Sequence, residues 1–331
     1  MFKLLITILL VTASHALVIN NPDREMYDII SKYRNEGLNN IKATLESYLI
    51  DKKYWDIVVE SKDTKYGYYE SIKYVFMASK EDNNLLLFEI QNNKLSQIGN
   101  SNAIFGANKG DKLKEGDLAT PIGVYDLTKK LQNLDQYYGP LAFVTSYPNL
   151  YDKLNKKTGY GIWIHGLPLN GDRSEQNTKG CIAIENNILL QYEKVIDYKD
   201  SVLITSNKPI KEVSKDTFAN ILQSLFVWRD AWINNDLNLY LSFYDESFVR
   251  FDGMKINEFK AFKKRIFDKD EKKNITFTNI NIIPYPNNDG KEIFRITFLE
   301  DYRADSGYTF RGIKELYIII KDKKISIIVE K

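Results

Sequence analysis

The chain of 331 residues has one cysteine, Cys181, and two histidines, His15 and His165. A lone cysteine cannot close an intrachain disulfide, and neither a cysteine-rich zinc site nor an iron–sulfur cluster can be assembled from it. An excess of one charge is also missing. The 46 basic and 44 acidic side chains leave a net charge of +2, which gives no electrostatic footprint for nucleic acid. Internal repeats, heptad arrays and low-complexity tracts are absent as well, and with them solenoids, coiled coils and extended disorder. What remains, 44% hydrophobic and 27% charged residues, is the balance of a folded soluble protein of two or three domains.

The first twenty residues supply an address. Lys3 begins a short basic start, Leu4 to Val11 form an apolar stretch, and Ser14-His15-Ala16 is a small-residue site. This is the layout of a secretory signal peptide, and the apolar stretch is too short to span a bilayer comfortably. Cleavage is expected near Ala16, which removes His15 and leaves an exported chain with one histidine and one cysteine. An odd cysteine in an oxidising compartment is a candidate reactive thiol.

Three segments follow. Over residues 17–69, Met26, Ile29, Ile30 and Tyr33, then Leu38, Ile41, Leu45 and Leu49, fall at helical spacing, with Gly37 between the groups. Two short amphipathic helices bury too little surface to stand alone, so they are expected to pack on another domain or on a second copy, which leaves a homodimer open. From 70 to 207 the pattern changes to β-rich runs, Ile72 to Met77 and Leu85 to Ile90, separated by polar turns and followed by glycine-, proline- and aromatic-rich loops. After Ser206-Asn207-Lys208-Pro209, residues 208–331 predict a long helix carrying Phe218, Ile221, Leu222, Leu225, Trp228 and Trp232. Strands are expected at Ile275 to Ile283, Ile293 to Leu299, Leu316 to Ile320 and Ile325 to Val329. The fold class is α+β and multidomain: N-terminal helices, a mostly-β central domain and a C-terminal α+β domain. The lysine-rich stretches Lys263-Lys264-Arg265 and Lys272-Lys273 read as a solvated face.

The chemistry concentrates in two places. Gly161-Ile162-Trp163-Ile164-His165-Gly166 predicts a strand that delivers a histidine to a glycine turn. Asn177-Thr178-Lys179-Gly180-Cys181-Ile182-Ala183-Ile184 places a glycine immediately before the cysteine and an apolar run after it. A thiol nucleophile needs a base within hydrogen-bond reach, and a neighbouring glycine lets a backbone N–H approach a developing oxyanion. Taken singly, each residue would read as a buried structural cysteine or an ordinary histidine. The polar, glycine-rich flank of Cys181 argues for the pair.

These residues resemble the signature of the L,D-transpeptidase (YkuD) catalytic domain, a histidine followed after a loop by Ser/Thr-x-Gly-Cys. Upstream, Gly106, Lys109-Gly110-Asp111-Lys112, Glu115-Gly116-Asp117 and Thr120-Pro121-Ile122-Gly123-Val124-Tyr125 are similar to the family's TPxGxY region, and Ser146-Tyr147-Pro148-Asn149 and Thr158-Gly159-Tyr160 fit as well. Lys179 stands where many members have histidine, and Ala183 where many transpeptidases have arginine. The whole layout resembles the L,D-carboxypeptidases that set helical cell shape in Helicobacter and Campylobacter relatives, and the C-terminal pattern resembles an NTF2-like cone.

The resemblance implies a periplasmic enzyme that trims peptidoglycan tetrapeptide stems to tripeptides through a Cys181 thioester, without cofactor or metal. His165 is implied as the base, the Gly166 carbonyl as its orienting partner, and the N–H groups of Gly180 and Cys181 as oxyanion donors. Trp163, Arg173, Thr178 and Lys179 flank these segments and are candidates for positioning the substrate's carboxylates. Two other readings stay open: a transpeptidase that cross-links diaminopimelate residues, and a non-catalytic periplasmic scaffold that binds an unknown ligand through the NTF2-like domain.

Overall fold

The structure, a computed structural model, describes residues 24–171, 176–321 and 323–331. The signal peptide expected over 1–16 lies outside the described residues. By its contacts the chain forms two units, residues 1–51 and 52–331.

The described part of the first unit contains α1 (Arg24–Glu36) and α2 (Leu38–Leu49). They meet at Gly37, whose φ of +78° is a left-handed conformation open to glycine without a Cβ penalty. Its N–H donates to the Tyr33 carbonyl at 2.9 Å and closes α1, the break expected from the sequence. Met26, Tyr27, Ile30, Tyr33, Leu38 and Leu45 are exposed.

The second unit opens with α3 (Lys52–Glu60) and β1 (Tyr68–Tyr69) and continues into a barrel. The barrel elements are β2 (Tyr74–Ser79), β3 (Asn84–Gln91), β4 (Lys94–Ile104), β5 (Gly123–Gln132), β6 (Leu141–Thr145), α4 (Leu150–Leu154), β7 (Trp163–His165), β8 (Ile182–Ile184), α5 (Asn186–Val195) and β9 (Ser201–Ser206). Its eight strands close in the order β2-β3-β4-β8-β7-β6-β5-β9, antiparallel except for β2 with β9 and β7 with β8. Inside lie Phe76, Leu87, Tyr125, Phe143, Ile164, Ile182 and Leu203. The outer face of β2, β5 and β9 is apolar too, with Val75, Met77, Val124, Val202 and Ile204 packed on Ile283, Tyr285, Ile293, Tyr317 and Val329. Burial on both faces explains why Val75-Phe76-Met77 of β2 and Val202-Leu203-Ile204 of β9 are consecutive apolar residues rather than alternating ones.

The C-terminal domain consists of α6 (Lys215–Ile233), α7 (Leu237–Ser242), β10 (Tyr244–Arg250), α8 (Ile256–Phe267), β11 (Lys273–Tyr285), β12 (Ile293–Ala304), β13 (Thr309–Lys321) and β14 (Lys324–Glu330). Ser214 caps α6 by accepting the Thr217 N–H at 3.1 Å. The sheet runs β1-β11-β12-β13-β14-β10, so it takes one strand from ahead of the barrel. Trp228, Trp232 and Tyr240 pack among Phe277, Phe267 and Tyr302 under the helices, which makes the aromatic stripe of α6 a core face.

The solvated lysine face expected from the sequence needs correction. Lys263 is buried, with Nζ 4.6 Å from the Trp232 ring centroid and 5.0 Å from that of Tyr240, and burial pushes its pKa down to about 8. Ile256, Phe259, Lys263 and Phe267 share the inward face of α8, so helical periodicity carries the lysine inside. Lys314 joins it, paired with Glu330 at 2.5 Å. Lys273 is buried as well, whereas Lys264 and Arg265 are exposed.

Barrel and C-terminal sheet are joined by polar contacts as well as apolar ones. Buried Arg295 holds Asp126 with two hydrogen bonds of 2.8 and 2.6 Å and Glu315 with one of 2.7 Å. Asn281 Oδ1 accepts from the backbone N–H groups of Glu70, Ser71 and Ile72, each at 3.2 Å.

Candidate functional site

In the parallel pair β7 and β8, Ile164 stands opposite Ile182 and His165 opposite Ala183. Partners across a parallel pair point to the same face, and successive residues alternate. Ile162, Ile164, Ile182 and Ile184 enter the barrel core, so His165 and Cys181 project to the other side. Cys181 lies one strand across and two positions back from His165, about 8 Å between Cα atoms on standard strand spacings. Both side chains line one cavity of about 510 Å³, together with Lys112, Glu115, Gly116, Leu118, Tyr137, Tyr138, Gly159, Tyr160, Gly161, Ile162, Thr178 and Lys179.

His165 is buried, with Nδ1 2.7 Å from the Gly166 carbonyl oxygen. A carbonyl can only accept, so Nδ1 carries hydrogen, and the lone pair of the neutral ring is on Nε2. The Tyr138 ring meets the imidazole edge-on at 5.2 Å. Asn186, at the start of α5, fixes the turn: its Oδ1 accepts the Leu167 N–H at 2.8 Å and its Nδ2 donates to the Leu167 carbonyl at 3.0 Å. A Cβ on Gly166 would stand 2.1 Å from Asn186 Oδ1, which is why glycine follows the histidine.

The Cys181 thiol is half-buried and donates to the Gly161 carbonyl at 3.3 Å. Burial pushes its pKa up, while a backbone hydrogen bond from Trp163 and the charge of Lys112 act in the opposite direction. Thr178 braces the turn before it. Its Oγ1 donates to the Cys181 carbonyl at 2.7 Å and accepts the Gly180 N–H at 3.1 Å. The Gly180 N–H expected for an oxyanion is therefore already engaged. Gly180 has φ +132°, and a Cβ there would lie 2.9 Å from the Ala119 carbonyl oxygen.

Of the flanking residues named from the sequence, Thr178 and exposed Lys179 line the cavity. Trp163 stands beside Tyr138, ring centroids 5.1 Å apart, and Arg173 lies outside the described residues. The sequence reading missed Lys112 in a functional role. Its side chain is buried in the cavity wall, with Nζ 2.7 Å from Asp117 Oδ1 and 3.2 Å from the Lys114 carbonyl. The signal was present in the charged, glycine-bearing stretch Lys109 to Asp117, quoted there only as part of a motif.

Residues 73–204 match the L,D-transpeptidase catalytic domain (YkuD), and residues 220–331 match the Cds6 C-terminal NTF2-like domain. The helical cell shape determining protein Pgp2 of Campylobacter jejuni is similar over 85% of this chain and 99% of its own, at 43% identity and a TM-score of 0.79. A mutant of the same protein gives 42% identity and 0.81, over 86% of this chain and 99% of its own. Bd1075 of Bdellovibrio bacteriovorus is similar at 26% identity and a TM-score of 0.63, over 81% of this chain and 96% of its own. No curated protein matches the chain. A central domain of this family with its cysteine and histidine motifs in one cavity, and a relative at 43% identity along nearly its whole length, lead to one conclusion: the chain belongs to the L,D-transpeptidase (YkuD) family and carries a C-terminal NTF2-like domain.

Proposed function

We propose that this protein is a periplasmic peptidoglycan L,D-carboxypeptidase that removes the terminal D-Ala from tetrapeptide stems and so influences cell shape. The observation that carries the reading is that Cys181 and His165 face one cavity from adjacent parallel strands, with His165 Nδ1 committed to the Gly166 carbonyl. Similarity to a helical cell shape determining protein supports the cell-shape role. Export through the leader at 1–16 fits a substrate outside the cytoplasmic membrane.

Burial pushes the thiol up, which favours the neutral pair over a thiolate–imidazolium pair as the starting state. His165 Nε2 then takes the proton as Sγ attacks the carbonyl carbon at the L-centre of diaminopimelate. A C–S bond forms, and the carbonyl π pair moves to oxygen, where the Cys181 N–H supports it. Collapse breaks the C–N bond, and His165 passes its proton to the departing D-Ala nitrogen. Water, deprotonated by His165, attacks the thioester, and breaking the C–S bond releases the tripeptide and restores the thiol. Exposed Lys179 is the cavity cation available to a substrate carboxylate, because the ammonium of Lys112 is already paired with Asp117.

The reading of hydrolysis over transfer is supported by the departure at Ala183, which lies buried opposite His165 where many transpeptidases have arginine and so counts against cross-linking. Incubation of the purified enzyme with disaccharide tetrapeptide, followed by mass spectrometry, tests the reading. Tripeptide with free D-Ala supports it, cross-linked dimers show a transpeptidase, and neither product sinks both. Unchanged product formation by Cys181→Ala removes the nucleophile assignment. The homodimer through α1 and α2 is a separate proposal, tested by size-exclusion chromatography of a chain that begins at Lys52, which removes both helices and leaves the second unit whole.

A further inference from the structure

A chain of polar contacts runs from the C-terminal domain to the segment that lines the Cys181 cavity. Tyr285, the last residue of β11, is buried against the barrel; its hydroxyl accepts from Asn149 Nδ2 at 2.9 Å and reaches Asp152 Oδ1 at 3.4 Å. Asn149 and Asp152 form the capping box of α4, with bonds of 2.8 and 3.2 Å. Asp152, fully buried, is paired with Lys157 at 2.8 Å, and the same ammonium holds Asp111 at 2.6 Å. Asp111 in turn accepts the Ile122 N–H at 2.8 Å.

The segment that begins at Asp111 lines the same cavity as the thiol. It carries Lys112 in the cavity wall, and its Ala119 carbonyl abuts Gly180. The Tyr285 hydroxyl also fills the space beside Gly123, where a Cβ would stand 2.4 Å from it. A motif glycine of the barrel is thus shaped around a residue of the C-terminal domain.

From this chain of contacts we infer that Tyr285 of the NTF2-like domain is a positioning residue for the Cys181 site, acting through Asp152, Lys157 and Asp111 on the loop that carries Lys112. The hydrogen bonds of Tyr285 are buried, and the ion pairs beyond them are largely so, so loosening one link leaves its neighbours short of a partner. Deepening the functional reading in this way rests on Cys181 as the reactive group, yet the consequence can be read without turnover.

The test is the pH dependence of Cys181 alkylation by iodoacetamide in the full exported chain, followed by mass spectrometry. Wild type, Tyr285→Phe, Asp111→Asn and the double variant are compared, with thermal midpoints recorded alongside. Tyr285→Phe keeps the ring and its packing, and the alkylation midpoint is expected to move to higher pH, slowing the reaction at pH 8 about three- to tenfold, the scale of one link in a packed network. Asp111→Asn is expected to do the same, and the double variant no more than the larger single effect. An unchanged or lowered midpoint in Tyr285→Phe overturns the inference, as do single effects that multiply in the double variant. A fall in thermal midpoint with a superimposable alkylation profile assigns Tyr285 a purely structural role and also overturns it. A wild type that fails to cleave tetrapeptide but shows the coupled alkylation shifts refutes the carboxypeptidase reading and leaves the positioning role standing.

Discussion

His165 Nδ1 and the Gly166 carbonyl oxygen are 2.7 Å apart, a contact between adjacent residues that selects one imidazole tautomer. With the hydrogen on Nδ1, Nε2 is the basic nitrogen of the neutral ring. His165→Gln, which keeps hydrogen bonding but has no titrating nitrogen, is expected to lower kcat for tetrapeptide cleavage by roughly 10²- to 10⁴-fold. A steady-state assay on folded protein checks this, and a loss below tenfold rejects His165 as the base.

Thr178 occupies both polar ends of the turn that presents Cys181, through bonds of 2.7 and 3.1 Å. Thr178→Val keeps the shape but removes the hydroxyl, leaving a buried N–H and a carbonyl without their partner. The expected cost is about 1–3 kcal/mol of stability by urea unfolding, with kcat reduced about tenfold or more as the turn loosens. Thr178→Ser restores both. Failure of serine to rescue would place the effect in the methyl group and not in the hydrogen bonds.

Gly180 combines φ +132° with a carbonyl oxygen in the path of any Cβ. Gly180→Ala has to shift either the turn or Ala119, and a destabilisation of about 1–3 kcal/mol is expected. The alkylation rate of Cys181 should change with it. A variant with wild-type stability and alkylation kinetics contradicts the close approach of Ala119 to this turn.

How far the site could be read from the sequence depended on chain separation. Cys181 and His165 were legible because their local flanks, Gly180 before one and Gly166 after the other, already limit what the backbone can do there. Asn186 was not, since it acts on Leu167 nineteen positions away and has no local motif of its own. Tyr285 was further out of reach: its partner Asn149 is 136 positions distant, and only the packing of the sheet on the outer face of the barrel brings the two together. The helix of 215–233 and the four C-terminal strands were visible as periodic runs. Strand β1 was hidden because two residues carry no period, and Lys263 because a lysine cluster looks solvated until the inward spacing of Ile256, Phe259 and Phe267 is set beside it.

Lys263 also sets a pH dependence. Burial among Trp232, Tyr240 and Phe259 holds its pKa at about 8 against an ordinary value of 10.5, with Glu330 opposing the shift and Lys314 adding to it. Lys80, in the turn after β2, is likewise lowered to about 8 by burial. Below that pH both ammonium groups are charged in the folded and unfolded chains, and the folded state carries the full cost of burying them. Between about 8 and 10.5 the unfolded chain binds protons that the folded chain does not, so stability rises with pH across this window. The buried hydroxyls of Tyr240 and Tyr244 are pushed well above 10, so unfolded tyrosines that ionise there reverse the trend. Urea unfolding midpoints are therefore expected to increase from pH 7.5 to 9.5 and to decline above about pH 10. Lys263→Met should flatten the rising part, because the methionine has no proton to lose, while Lys314 remains paired with Glu330 to hold the cluster. A wild-type midpoint that is flat or falling between pH 7.5 and 9.5, or a slope unchanged in Lys263→Met, would show that Lys263 keeps its proton in the folded protein, its charge balanced by Glu330 in spite of burial.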